Sequence, residues 1–336
     1  MVLDGPGTGG TGGDQLVPDT GEVQEGGGEM KDPVIELRSV SKFYGQVMGL
    51  NDVSLRFRQG ITGLLGPNGA GKSTMLKLIT GQIRPSKGSV QVLGEDPWDN
   101  PGVYMKMGYC PEQDAFFRDM TGLSFVSFCG RLSGMGREEA AGRALRTMEM
   151  VGMEEDMDRP ISNYSKGMRQ RVKMAQALVH DPLLIVLDEP LAGTDPIGRM
   201  KIIELLFELE RKGKNIIISS HVLHEVERMT ENIVLIDNGK LVAEGNIHAI
   251  RDSLDRFPLT IRVMTPDARV LAGRLTSLEE VKTLSIGENG ELLVRTSDPN
   301  RFYNDLQDLV VEDSFHIESI DSPDDNLNAV FEYLVE

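Results

Sequence analysis

The chain has little with which to brace itself covalently or to anchor itself in lipid. Its 336 residues include two cysteines, Cys110 and Cys129, one tryptophan, and only 5% aromatic residues. The two cysteines show no metal-ligand spacing, which argues against a disulfide scaffold or a cysteine-based zinc site; both are expected as buried, reduced thiols. No apolar run approaches the roughly 18–20 residues needed to cross a bilayer. The start has neither a basic n-region nor an apolar h-region, so the chain is expected to be cytoplasmic and not itself inserted in a membrane. Basic residues are scarce relative to acidic ones, 35 against 52, and the resulting net charge of -17 argues against a general affinity for nucleic acid.

What is present is an ordinary globular composition, 40% hydrophobic and 26% charged, in a chain long enough for one large domain and a smaller one. Residues 1–32 are rich in glycine and poor in apolar side chains, which predicts a disordered tail. From Val34 onward strands appear: Val53, Leu55 and Phe57 alternate with polar residues, as in a half-buried antiparallel strand. The stretch Gly66-Pro67-Asn68-Gly69-Ala70-Gly71-Lys72-Ser73-Thr74 fits the phosphate-wrapping loop Gly-x-x-x-x-Gly-Lys-Ser/Thr. A short apolar strand, 61–65, feeds it and a helix through 75–79 leaves it. In that setting glycines let backbone N–H groups converge on phosphate oxygens, and the helix N-terminus adds positive charge. Lys72 can reach the β- and γ-phosphates, and Ser73 can ligate Mg²⁺.

Further along, 89–93 reads as a strand and about 114–163 as helical, with Leu145, Met148, Val151 and Met153 near helical spacing. Methionine is dense here; adaptable core filler is the default reading, and a deformable docking surface the alternative. Residues 183–187 form an apolar strand ending in Asp188-Glu189, and 202–209 an amphipathic helix. Residues 215–220 form another apolar strand, ending at His221. A hairpin follows, with an Asn238-Gly239 turn between 233–236 and 241–243. Open α/β sheets bind ligands beyond the carboxyl ends of their strands. The phosphate loop, Asp188-Glu189 and His221 each occupy such an end, so one crevice is expected to hold them all. There Asp188 suits an inner or outer Mg²⁺ ligand, Glu189 can take a proton from an attacking water, and His221 can bond the γ-phosphate or orient that water. Tyr44, an aromatic shortly before the loop strand, can stack on a base or serve as an ordinary aromatic.

Read together with Tyr164-Ser165-Lys166-Gly167-Met168, these motifs resemble the nucleotide-binding subunit of ATP-binding cassette (ABC) transporters, over roughly residues 34–245. The resemblance implies an α/β fold: a P-loop NTPase (RecA-like) core with an antiparallel β subdomain and an α-helical signature subdomain. It also implies ATP and Mg²⁺ as ligands. It makes Tyr44 the adenine-stacking aromatic, Gly66 to Thr74 the phosphate loop, and Asp188 the Mg²⁺-associated aspartate. Glu189 is then the general base, His221 the γ-phosphate switch, and Asp195 the loop aspartate that crosses a dimer interface. Ser165, Lys166, Gly167 and Met168 correspond to the signature that binds the γ-phosphate held by a second subunit. Lys166 and Met168 depart from the usual Gly and Gln there, which bears on fine nucleotide contacts, and the Lys resembles a variant of exporter-type subunits. At the Mg²⁺-sensing glutamine this chain has Glu112 with Gln113 beside it, and the sequence does not choose between them. Aromatics at Phe116, Phe117, Phe125 and Phe128 lie near the groove where family members seat a helix of their membrane partner, or belong to the core.

Beyond Gly245 the pattern changes to β-α-β-β-α-β plus a closing helix at 326–335, with a turn at Glu288-Asn289-Gly290. That order matches a ferredoxin-like unit and resembles the small accessory domain of some exporter subunits. The expected organisation is thus a tail at 1–32, an ATPase domain at 33–250 with its helical subdomain at about 114–170, and a small α+β domain at 251–336. The expected function is an ATPase that dimerises around two ATP molecules, with a second copy or a closely related cassette subunit. It would drive a separate integral membrane permease from the cytoplasmic face, with a lean to export. A ribosome-associated cassette ATPase would typically carry two cassettes, and one P-loop is present. A chromosome or repair ATPase needs a long heptad insertion between P-loop and signature, and residues 75–163 show none. A non-hydrolysing regulator is disfavoured by the intact Lys72, Asp188, Glu189 and His221.

Overall fold

Alternating and continuous apolar runs sort the strands into different sheets. The computed structural model describes residues 33–252, 259–287 and 290–323. The chain begins with β1 (Ile35–Tyr44), β2 (Val47–Phe57), β3 (Ile61–Leu65), α1 (Lys72–Ile79), β4 (Lys87–Val92), α2 (Pro101–Tyr104) and β5 (Met107–Cys110). It continues with α3 (Gly122–Leu132), α4 (Arg137–Met150), α5 (Lys166–Leu178), β6 (Leu184–Asp188), α6 (Pro196–Arg211) and β7 (Asn215–Ser220). Then follow α7 (Leu223–Glu227), β8 (Asn232–Asp237), β9 (Lys240–Asn246) and α8 (Ile247–Asp252).

The central sheet has the order β5-β6-β7-β3-β8-β9, parallel except for β9. Strands β3 and β6 are buried along their whole length, as a parallel sheet covered on both faces requires. Their side chains alternate between two layers. Ile185, Leu187 and Leu65 pack with α3 to α6. Leu184, Val186 and Leu64 pack with Met75, Leu76 and Ile79 of α1 and with the second sheet. That second sheet is antiparallel, of order β2-β1-β4, and turns Val53, Leu55 and Phe57 inward as their alternation predicts.

The stretch expected to be helical throughout 114–163 is interrupted. Residues before Thr121 run as loop, and Thr121 then caps α3, its Oγ1 accepting from Ser124 N at 3.2 Å. Gly134 and Gly136 separate α3 from α4. A turn-rich passage follows α4 and ends in a 3-10 turn, Ile161–Asn163. Helix α4 faces the core with Ala140, Ala144 and Met148 while Leu145 points outward. The apolar stripe is set by small residues that a search for large side chains overlooks. The methionines divide: Met107, Met148 and Met153 are core, whereas Met105 and Met150 are exposed. Both cysteines are free thiols, Cys110 buried and Cys129 partly exposed.

After α8 a third sheet of order β11-β12-β10-β13 forms from β10 (Leu259–Met264), β11 (Val281–Ile286), β12 (Glu291–Thr296) and β13 (Ser319–Asp321). Helices α9 (Ala268–Leu275) and α10 (Pro299–Asp313) complete the β-α-β-β-α-β order, and every strand pair is antiparallel. Ile261, Val263, Leu292, Val294, Leu271 and Phe302 form its own core. The last strand, read from the sequence as 315–320, is confined to Ser319–Asp321. His316 is held instead by a hydrogen bond from Thr265 Oγ1 to its carbonyl, 2.7 Å. The tail at 1–32, Glu288 and Asn289 of the expected turn, and the closing helix at 326–335 lie outside the described residues. Among the described residues no helix is long and apolar enough to cross a membrane.

Phe302 has no exposed surface in this third core. Phe302→Ala is expected to destabilise that sheet by about 3–5 kcal/mol. Hydrogen exchange should then speed up in β10 and β12 while the amides of β3, β6 and β7 stay protected. Uniform acceleration across both sheets would show that they unfold as one unit.

Candidate functional site

The site is built from three neighbouring strand ends. Because β7 pairs in parallel with β6 on one side and β3 on the other, the phosphate loop after β3, Asp188-Glu189 at the end of β6 and His221 after β7 emerge side by side. β5, the next strand along, delivers Glu112 and Gln113 to the same edge.

The loop from Gly66 to Thr74 closes on itself. Gly66 has φ 152°, and a Cβ there would sit 2.1 Å from the Ile236 carbonyl oxygen. Only glycine fits so close a pass beside β8. The Asn238-Gly239 turn braces the loop from the other side: Gly239 N donates to Ala70 O at 2.8 Å, and Asn51 N to Gly239 O at 2.7 Å. Gly71 caps α1, so the first N–H groups of the helix carrying Ser73 and Thr74 face the crevice. The Lys72 ammonium donates to the carbonyls of Gly66, 2.6 Å, and Pro67, 3.1 Å. Burial pushes its pKa below the ordinary lysine value, against the opposing pull of Glu189, Asp188 and Glu112. Asn68 and Gly69 form the loop's exposed tip. Tyr44 is half-exposed at the end of β1. Its ring edge and Thr74 Oγ1 converge on one spot, 2.9 and 3.1 Å from where a Cβ on Gly49 would lie. The aromatic therefore stands beside the loop.

Across the crevice, Asp188 is 5% exposed and accepts from Ser219 Oγ at 2.6 Å. Its pKa is raised chiefly by desolvation, with the Ser219 hydrogen bond pulling the other way. Glu189 leaves the strand in a left-handed conformation, φ 50°. It does not continue the pleat away from its neighbour; its carboxylate accepts from His221 Nδ1 at 2.9 Å. That contact places the ring proton on Nδ1 and leaves Nε2 for another partner. Glu112 is exposed, and its charge acts on both Lys72 and Asp188. Gln113 is exposed next to it.

The remaining candidates gather elsewhere. Ser165 caps α5, its Oγ accepting from Met168 N at 3.2 Å. Asp195 caps α6, its Oδ1 accepting from Gly198 N at 2.8 Å; that bond, first among several, lowers its pKa. The Lys166 side chain runs so close to Gly193 that a Cβ there would meet Lys166 Cδ at 2.3 Å. Gly167 also faces Gly193, whose carbonyl oxygen lies 4.0 Å from where a Gly167 Cβ would be. Among the described residues no hydrogen bond or ion pair links any of Ser165, Lys166, Gly167, Met168 or Asp195 with the phosphate loop. Helix α5, which follows Ser165, is tied to the residues after β5. Arg169 Nε of α5 donates to Asp114 Oδ2 at 2.7 Å, and Lys173 Nζ donates to Glu112 O at 2.6 Å. Neither Asp114 nor Ser219 stood out in the sequence. Ser219 carries a signal in retrospect, as a polar break in the run Ile216-Ile217-Ile218, in register with Asp188.

Among the described residues no three His, Cys, Asp or Glu converge as a metal cage. Mg²⁺ needs none in such a site, since it is bound by one or two protein oxygens together with phosphate oxygens and water. The buried, hydrogen-bonded Asp188 and the hydroxyl of Ser73 fit that role.

A family profile described as ABC transporter matches residues 50–192. An ABC transporter ATP-binding protein of Synechocystis sp. is 36% identical over 239 residues, 68% of this chain and 67% of that protein. A Nod factor export ATP-binding protein I of Cupriavidus pinatubonensis is 35% identical over 268 residues, covering 79% and 82%. Among solved structures, the ATP-binding subunit of an ABC transporter aligns with TM-score 0.61 at 28% identity, over 66% of this chain and 93% of that one. A dimeric ATP-binding cassette in a post-hydrolysis state with ADP and Pi aligns with TM-score 0.59 at 27% identity, over 63% and 98%.

The raised pKa of Asp188 gives a stability prediction. Its ionised form is disfavoured in the fold, so its cost is absent below the unfolded aspartate range near 3.8. The cost grows as pH rises through the folded value and is complete above it. Asp188→Asn is therefore expected to raise the melting temperature of the protein without added nucleotide at neutral pH, and the gain should shrink as the pH is lowered toward 4. A melting curve unchanged at pH 7 would contradict the desolvation account.

Proposed function

Because the chain belongs to the ATP-binding subunits of ABC transporters, we propose that it hydrolyses Mg²⁺-ATP as half of a dimer that powers a separate membrane permease for export. The observation that carries the reading is the pair of bonds at the crevice edge, Ser219 to Asp188 and His221 to Glu189, directly beside the Lys72 loop. They supply a buried carboxylate for a cation and a second carboxylate oriented for proton transfer.

In this reading the loop amides and Lys72 hold the β- and γ-phosphates, and Tyr44 stacks on the adenine. Ser73 and Asp188 would hold Mg²⁺, with Glu112 or Gln113 reporting on it; when bound, the cation neutralises charge on the phosphate oxygens. Water attacks the γ-phosphorus, its proton passes to a Glu189 carboxylate oxygen, and the bond to the β-phosphate oxygen breaks to leave ADP and phosphate. With Nδ1–H given to Glu189, His221 presents Nε2, which donates to a γ-phosphate oxygen when the ring is protonated.

The second cluster, Ser165 to Met168 with Asp195, serves the nucleotide of the other subunit, a second copy or a close relative. Its helix N-terminus and serine hydroxyl form an anion site, and its lack of bonds to its own phosphate loop supports that assignment. Docking of a permease helix is supported by a groove of about 440 Å³ lined by Thr80, Gln82, Tyr104, Met107, Tyr109 and Pro111. Phe117 is 58% exposed and packs edge-on against Phe128, whereas Phe125 is core. Through such a partner the chain would sit at the cytoplasmic face of the membrane. Similarity to Nod factor export proteins supports the export direction. The third sheet would act as an accessory domain, structural, dimerising or regulatory, and residues 33–250 as the ATPase unit.

Glu189→Gln is expected to bind ATP as the parent does, to lose at least about a hundredfold in turnover, and to accumulate as an ATP-bound dimer by light scattering. Turnover at the parent rate would remove Glu189 as the base. Lys72→Ala should abolish ATP-dependent dimerisation; undiminished ATP affinity would count against the phosphate-loop assignment. Replacing Glu112 and Gln113 separately by Ala and titrating Mg²⁺ identifies the metal-sensing residue as the one whose loss raises the Mg²⁺ requirement.

A further inference from the structure

Three hydrogen-bonding groups meet at the junction of β6 and β7. Ser219 is wholly buried. Its hydroxyl proton goes to Asp188 Oδ1 at 2.6 Å, while its oxygen accepts the Glu189 N–H at 3.0 Å. Asp188 and Ser219 are partners in the parallel register, so the bond follows from strand pairing and needs no loop adjustment. The three residues immediately before it, Ile216, Ile217 and Ile218, are apolar and buried. A hydroxyl in that run is costly to bury unless both its donor and its acceptor are used, and here both are.

The two partners are the consecutive residues that the proposed chemistry needs most. One bond engages Asp188 Oδ1 and leaves Oδ2 for another partner. The other holds the peptide N–H of Glu189, a residue at φ 50°, a conformation strained for a non-glycine residue that persists only where its surroundings enforce it. Two residues after Ser219, His221 grips the Glu189 carboxylate at 2.9 Å. Backbone and carboxylate of Glu189 are thus clamped from the same stretch of chain.

We propose that Ser219 is a positioning residue for hydrolysis, its hydroxyl orienting the Asp188 carboxylate toward the cation and locking the Glu189 backbone so that its carboxylate faces the water. This assignment rests on the ATPase reading of the site. It differs from that reading in its demand: the hydroxyl matters for Mg²⁺ use and turnover, and not for binding of the triphosphate itself. A serine that merely satisfies the core would affect folding alone.

The test compares Ser219→Thr and Ser219→Val, which share a shape and differ in the hydroxyl, alongside Ser219→Ala, all in the full chain. Three quantities are read: ATP affinity in EDTA, the Mg²⁺ concentration giving half-maximal turnover, and kcat; melting temperature is the folding control. ATP affinity in EDTA should remain within about twofold in all three variants, since the hydrogen bonds of the Ser219 hydroxyl go to Asp188 and Glu189 and not to the phosphate loop. The Val and Ala variants should need several-fold more Mg²⁺ and lose about tenfold or more in kcat, with the Thr variant restoring both. If Val and Thr variants melt alike and share the same kcat and Mg²⁺ requirement, the assignment is overturned. Turnover by the parent chain tests the ATPase reading by itself, so the two can fail separately.

Discussion

Everything at the crevice depends on the parallel pairing of β6, β7 and β3. Adjacent parallel strands present their carboxyl ends at the same level, so residues separated by more than a hundred positions are brought level by backbone hydrogen bonds alone. Asp188 faces Ser219 and Leu65 faces Ser220 in register. A slip of one residue in either pair would turn Asp188 or the loop entrance to the other face of the sheet. The burial of β3 and β6 on both faces makes such a slip prohibitive, because it would exchange the side chains of two different cores. Precision at the site is therefore a by-product of the hydrophobic layers beneath it.

The same layers put the site at odds with stability. Burial disfavours the charged forms of both Asp188 and Lys72, and Glu189 adopts a backbone conformation that few residues accept. A core designed for stability alone would contain none of them. They remain because each is supported locally: Asp188 by Ser219, Glu189 by Ser219 and His221, Lys72 by two carbonyls. The β8-β9 turn reinforces the loop through Gly239, and the antiparallel sheet braces that turn through Asn51.

Much of this was legible because the informative residues lie in contiguous runs. The apolar strands before the phosphate loop, before Asp188 and before His221 announce both their burial and their ends, and the third sheet follows the strand order read from its alternation. What escaped was carried by contacts between distant segments. Helix α4 hides its core face in Ala140 and Ala144, which hydrophobic periodicity weighs lightly. The tie from Asp114 to Arg169 joins two charged residues that look like ordinary surface. The inward turn of Glu189 depends on a φ value that no spacing rule encodes. Membership of the ABC family came from an ordered set of motifs, whereas the roles of single residues within them remain proposals.

The posture of Lys72 has a consequence for selectivity among anions. Its ammonium is already shared between the carbonyls of Gly66 and Pro67, so an incoming anion competes with the protein's own backbone. A single small oxyanion offers roughly what those two oxygens already give, and exchange brings little net gain. A polyphosphate chain offers several charged oxygens at once, spread over the loop amides as well as the lysine, and so would compete better with the internal partners. On the proposed reading the loop would thereby favour ligands that carry several phosphates over single small anions, without any side chain dedicated to excluding the latter.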